Sequence, residues 1–253
     1  MARQFFDLNI QPMQGYTTLI HGVRAAGKTA LGGDFLKYYS DRGPVKFINM
    51  LGEDGQRSAM SSQLGKVGET HETYQDFKDF CKEYQGKKLE AVFLDSVSVL
   101  GRWIMRHTVG ADRLPRVTKD SNEWGEFHRE SETASMLLRN TAKYVLAVCP
   151  SDRSVDAVTQ QTYISPDLPG RQATGSAGWY DFVGYIQAVV TGPGVVKRTV
   201  MFTPNGTIVT RQRLAVQIDK DITLPNGQGG WSIIDKTIEL HATLMAQPAK
   251  GAV

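Results

Sequence analysis

The residues best able to do chemistry stand close together near the N-terminus. Residues 22–29 read GVRAAGKT and fit the spacing Gly-x-x-x-x-Gly-Lys-Thr. Gly22 and Gly27 let the chain curl, so that amides from Gly22 through Val23, Arg24, Ala25 and Ala26 to Ala30 can face phosphate oxygens. Lys28 would then reach β- and γ-phosphates, and the Thr29 hydroxyl would hold Mg²⁺. The bland alternative is a glycine turn between a strand and a helix. The flanks favour the phosphate reading. YTTLIH (16–21) is a β-branched strand pattern, and the helical pattern from Lys28 to about Arg42 puts Leu31, Phe35, Tyr38 and Tyr39 on one face. The ligand this arc predicts is ATP with Mg²⁺.

Such a site also needs a carboxylate at the end of a neighbouring strand. LEAVFLD (89–95) supplies Asp95, which would act on the metal with Thr29. Its alternative role is to cap the helix that starts near Ser96. Residue 96 is Ser, so no Asp-Glu pair ends this strand, and a group that orients attacking water must come from elsewhere. Glu53, just past the strand pattern at 45–51, is the candidate, with Asp54 in reserve. A solvated turn acid is the other reading.

The elements that must position these groups alternate. Strand patterns at 16–21, 45–51, 89–94 and 144–149 are separated by helical ones at 28–42, 73–84, 97–108 and 122–142. That alternation predicts an α/β core with a mainly parallel sheet covered by helices on both faces. After Trp179 the period changes: 182–190, 195–203 and 207–218 read as strands joined by Thr191-Gly-Pro-Gly194 and Pro204-Asn205-Gly206, an antiparallel meander. The domain is expected over 1–220, with the parallel core at about 16–150 and the antiparallel extension at about 180–218. Residues 221–253 read as a Gly/Pro-punctuated, loosely attached tail. Gly32 and Gly33 fall inside the first helix, where an exposed Gly costs roughly 1 kcal/mol against Ala.

Composition removes several classes. At 253 residues, 41% hydrophobic and 22% charged, one core can form without disulfides or structural metals. No apolar run reaches membrane-spanning length, and MARQFFDLNI lacks the apolar stretch of a secretory signal. Cys81 and Cys149 are in no metal or redox spacing, so a cytoplasmic location is expected, the host's if the chain is phage-encoded. A net charge of +3 permits a polyanionic partner without requiring one.

GVRAAGKT paired with FLDSVSVL resembles the RecA-like ATPases, whose Asp-bearing strand ends in Asp-Ser before a helix. Trp124-Gly125, SPDLPGRQ (165–172) with WYDFVGYI and its Asp181, and TRQR (210–213) resemble one branch of them: phage nucleotide-binding proteins of single-strand annealing and recombination. The likeness spans about 16–215. It departs where the fourth strand ends, in Cys149-Pro150 rather than a polar sensor, with Ser151 and Asp152 as the substitutes.

The resemblance implies a homo-oligomer, ring or filament, with ATP at the subunit interface. It implies that Arg211 and Arg213 reach a neighbour's γ-phosphate. As strand residues at i, i+2 they equally fit a wet sheet face. It places two DNA-contacting loops at 106–119 and 151–178, where Arg113, Arg116, Lys119, Arg153 and Arg171 would track phosphates and Tyr163 would stack on unpaired bases. Solvated surface loops are the other reading. The expected function is that of a phage RecA-like ATPase, DNA-stimulated and slow, acting on single-stranded DNA. A P-loop small-molecule kinase and a weakly hydrolysing or non-catalytic nucleotide-binding subunit of a phage machine are the rivals.

Overall fold

The computed structural model describes residues 15–51, 67–110, 114–117, 122–170, 172–175, 178–193, 195–214, 217–226 and 229–244. Its centre is a parallel sheet in the order β7-β1-β5-β4-β2-β3. These strands are β1 (Tyr16–Gly22), β2 (Val45–Met50), β3 (Gly68–His71), β4 (Leu89–Asp95), β5 (Ala142–Val155) and β7 (Phe182–Gly192). The helices are α1 (Lys28–Ser40), α2 (Tyr74–Glu83), α3 (Val97–Val109), α4 (Glu123–Arg139), the short α5 (Gln172–Gly175) and α6 (Gly230–Leu244).

Helices cover both faces, so alternate residues of one strand enter two separate cores. Phe93 joins Phe35, Tyr39, Phe47 and Trp231 on the α1/α6 face. Val92 and Leu94 join Phe77, Trp103 and Phe127 on the α2/α3/α4 face. This is why β4 is buried at every position and shows no polar alternation. Because the strands are parallel, their C-terminal ends share one edge, and β1 delivers Gly22 to it between β5 and β7.

Beyond β7 the sheet turns antiparallel through β8 (Val195–Met201) and β10 (Ile222–Leu224). The α/β core followed by antiparallel strands is thus as expected, with three differences. Of the strand expected at 207–218, the described residues show Arg211–Gln212 pairing as β9 against β7 and a single bridge from Ile208 to Ile164. Asn205 accepts the amides of Thr207 and Ile208 through its side chain, and this local turn redirects the chain towards Ile164. The expected loop at 151–178 contains a hairpin: β5 runs on to Val155 and returns as β6 (Thr162–Pro166).

Nor are residues 221–226 and 229–244 a loose tail. β10 extends the sheet, and α6 packs on α1 with Trp231, Ile234 and Ile238 buried. Buried in the same helix, Asp235 accepts the hydroxyls of Tyr16 and Tyr39, the latter at 2.8 Å, which ties α6 to the start of β1 and to α1. A helical stripe of apolar residues with one buried carboxylate is hard to see among neighbouring glycines and prolines.

Candidate nucleotide-binding site

The link between β1 and α1 is a tight arc. Ala25 (φ 62°) and Gly27 (φ 95°) take left-handed backbone, and the Ala26 amide donates to the Val23 carbonyl at 3.3 Å. Left-handed residues alternating with right-handed ones curve the amides inward and build an anion-binding nest. Glycine is required at both ends. A Cβ on Gly22 would lie 2.3 Å from the Ile186 carbonyl oxygen of β7. One on Gly27 would lie 2.9 Å from Nε of Arg198 on β8.

Lys28 is drawn back across the loop: its Nζ donates to the carbonyls of Gly22 and Val23, both at 2.8 Å. On the next residue, Thr29 Oγ1 donates to Asp95 Oδ2 at 2.7 Å, joining the first turn of α1 to the end of β4. Asp95 is buried. Its register partner on β2 is Asn49, also buried, whose Oδ1 has no hydrogen-bond partner among the described residues. A buried amide oxygen left bare is costly by about 1–3 kcal/mol unless water or a ligand satisfies it. Thr29, Asp95 and Asn49 are all oxygen donors of the kind a hard divalent cation and its water shell require. The residues therefore fit a hydrated Mg²⁺. Asn49 escaped the sequence reading, although one amide inside VKFINM is the signal that could have found it.

Packing explains Gly32 better than propensity does. Gly32 is buried, and a Cβ there would lie 2.2 Å from the Phe93 ring. The missing side chain lets α1 approach β4 closely, and that approach brings Thr29 to Asp95.

His21, just ahead of the arc, is buried and held at both nitrogens. Its Nε2 meets the Val209 carbonyl at 2.7 Å, and its Nδ1 meets Ser151 Oγ at 2.8 Å. A carbonyl only accepts, so Nε2 carries the proton and Nδ1 accepts from Ser151. Burial pushes its pKa down to about 4, aided by the nearby Lys28 charge and opposed by the Val209 bond. A neutral imidazole thus ties the start of the arc to the end of β5. Ser151, one substitute for the missing sensor, spends its hydroxyl on His21. Asp152, the other, is exposed and accepts the Arg153 amide.

The remaining sequence-derived residues scatter. Glu53 and Asp54 lie outside the described residues, as do Arg113, Lys119 and Arg171. Arg116 is exposed on the stretch that meets the start of α4, where its amide donates to Glu123. Arg153 and Tyr163 are both exposed on the β5–β6 hairpin. Arg153 faces Ile164 and Ser154 faces Tyr163 in the ladder, so the two side chains leave opposite faces. Arg211 pairs with Val183 at the level of Leu19. Arg213 binds Asp181 at 3.3 Å and the Gly178 carbonyl at 2.8 Å, and Asp181 also holds Arg139 and Thr17. Both arginines stand three to five residues short of Gly22 along β1, roughly 10–16 Å at strand spacing, and away from this chain's own arc.

One basic residue that no sequence pattern marked does lie at the arc. Arg198 is half-buried over Gly27, with no ion pair among the described residues. Beside it opens a cavity of about 280 Å³ between α1, β8 and the start of α6.

Residues 14–214 match the family described as an AAA domain, a span that covers most of the chain, and the protein belongs to that family. Among solved structures it is similar to the crystal structure of the flagellar accessory protein FlaH from Methanocaldococcus jannaschii, at 16% identity over 86% of this chain and 88% of that one, with a TM-score of 0.43. No curated protein matches significantly. The parallel sheet, the arc after β1 and the Asp-bearing β4 are the parts of this AAA domain that frame the candidate nucleotide site.

Proposed function

We propose that this AAA-domain protein binds ATP·Mg²⁺ in the arc 22–29 and hydrolyses it in an oligomer that works on single-stranded DNA, as a phage recombination or annealing ATPase would. The observation that carries the nucleotide reading is the Thr29–Asp95 contact beside a loop that Lys28 already spans. The amides of residues 22–30 would hold the phosphates, and Lys28 would exchange a loop carbonyl for phosphate oxygens. Thr29 and Asp95 would hold the Mg²⁺, which when bound neutralises phosphate charge. Water activation is assigned to Glu53 from the sequence.

The assembly reading is supported by placement. Arg211 and Arg213 are remote from their own arc, so any triphosphate they touch is a neighbouring copy's. Arg213 is engaged with Asp181 and Gly178 in its own chain, bonds it would have to exchange to reach a neighbour's phosphate. The DNA reading is supported by the hairpin. From Ser151 onwards β5 pairs with β6 alone, so the hairpin projects past the sheet edge where β1 ends, carrying Arg153 and Tyr163 exposed.

The test is ATP turnover with and without single-stranded DNA, for wild type and Lys28→Ala. DNA-stimulated turnover lost in the variant supports the proposal. Turnover only with a small phosphoryl acceptor makes the protein a kinase. Binding without turnover under any condition makes it a nucleotide-sensing subunit.

A further inference from the structure

We propose that the cavity between α1, β8 and α6 receives the nucleoside end of the ligand, and that Asp34 selects a base bearing an amino group. The inference rests on the phosphate site described above and extends it to a part of the ligand that site does not touch.

Continuity is the first argument. Gly27 and Ala30 belong to the phosphate arc and its first helical turn, and both also line the cavity. On the other side the arc is closed by the Thr29–Asp95 bond. A nucleotide with its terminal phosphates in the arc therefore has its open path along the α1 face that carries Gly27, Leu31 and Asp34, residues three to four apart.

Size and chemistry agree with that path. About 280 Å³ is just below the roughly 300–1,000 Å³ of whole-ligand sites, and suits a base and sugar with the phosphates outside. Leu31, Leu224 and Pro225 give apolar walls for a ring face. Arg198 stands where phosphates and cavity meet, positioned to pair with an α-phosphate or to lie against the ring. At the far end, Asp34 Oδ2 accepts the Gly230 amide at 3.1 Å. An ionised carboxylate has about four acceptor positions and no donor, so what it can still recognise is an N–H. Burial raises the Asp34 carboxyl above its ordinary value, against the lowering effect of the Gly230 and Gly229 amides. A donor from the ligand would offset that desolvation.

Calorimetric titration in the presence of Mg²⁺ tests this with three probes: ATP, purine riboside triphosphate (whose base has no N–H donor) and inorganic tripolyphosphate. Wild type should bind ATP about 10–100-fold more tightly than purine riboside triphosphate, the size of one hydrogen bond to a charged acceptor. Asp34→Asn, which keeps a side-chain acceptor for Gly230, should shrink that ratio at least about fivefold. Leu224→Trp, which fills the cavity, should weaken ATP at least about tenfold and leave tripolyphosphate unchanged. A wild-type ratio near one, or wild-type ATP affinity in both variants, overturns the assignment while tripolyphosphate binding keeps the phosphate site standing. Wild type that binds neither ATP nor tripolyphosphate overturns both.

Discussion

Replacing Gly32 by Ala sets helix propensity against packing and asks which is larger. In an isolated helix the change should stabilise by about 1 kcal/mol. In this protein the new methyl would sit 2.2, 2.3 and 2.5 Å from three atoms of the Phe93 ring. That is about 1.2 Å inside ordinary carbon contact. The ring has little room to yield, since Phe93 is fully buried and stacks on Phe47 with centroids 5.0 Å apart. Overpacking of this kind costs about 1–3 kcal/mol and more where nothing can move. The upper part of that range applies, so Gly32→Ala should destabilise by about 1–2 kcal/mol net. With a urea slope of about 2–3 kcal/mol/M, the midpoint should fall by about 0.5 M. Phe93 lies two residues before Asp95 on the same face of β4, so relieving the clash also draws Thr29 away from it. Mg²⁺-dependent nucleotide affinity should then drop by about tenfold. The assays are urea unfolding and nucleotide titration of wild type, Gly32→Ala, Phe93→Leu and the double variant, in which the smaller side chain should restore part of the loss. A Gly32→Ala protein as stable as wild type or more so would refute the packing argument.

Two further expectations concern the flanks of the site. His21 binds its proton less well folded than unfolded, so stability is full above its ordinary value near 6.5 and falls as pH drops towards about 4. Between pH 7.5 and 5 this group should cost about 2 kcal/mol, and His21→Gln should flatten that part of the pH profile measured by urea midpoints; parallel profiles for the two proteins would contradict it. Ending the chain after Asn226 removes Trp231, Ile234 and Ile238, each fully or almost fully buried. At about 2 kcal/mol apiece that approaches the whole stability of a domain, so the shortened protein should be unfolded or aggregated by circular dichroism and gel filtration, and a folded monomer would show that α6 is dispensable.

The sequence by itself determined the parallel core and the tight glycine arc after β1, because both depend on local patterns. Strand and helix periods alternate before residue 150, and Gly22, Gly27, Lys28 and Thr29 keep a spacing whose chemistry is fixed by backbone geometry. Asp95 was readable for the same reason, as a lone acid ending an apolar strand. What the tertiary structure decided depends on residues far apart in the chain. The value of Gly32 is set by Phe93, 61 positions away. Arg198 matters because β8 folds back beside β7 and over Gly27, and no feature of KRT marks it. The buried state of Asn49 follows from its pairing with Asp95, and α6 earns its place through Asp235 and two distant tyrosines. Periodicity reports which face of an element is apolar; only the folded sheet reports which other residue that face will meet.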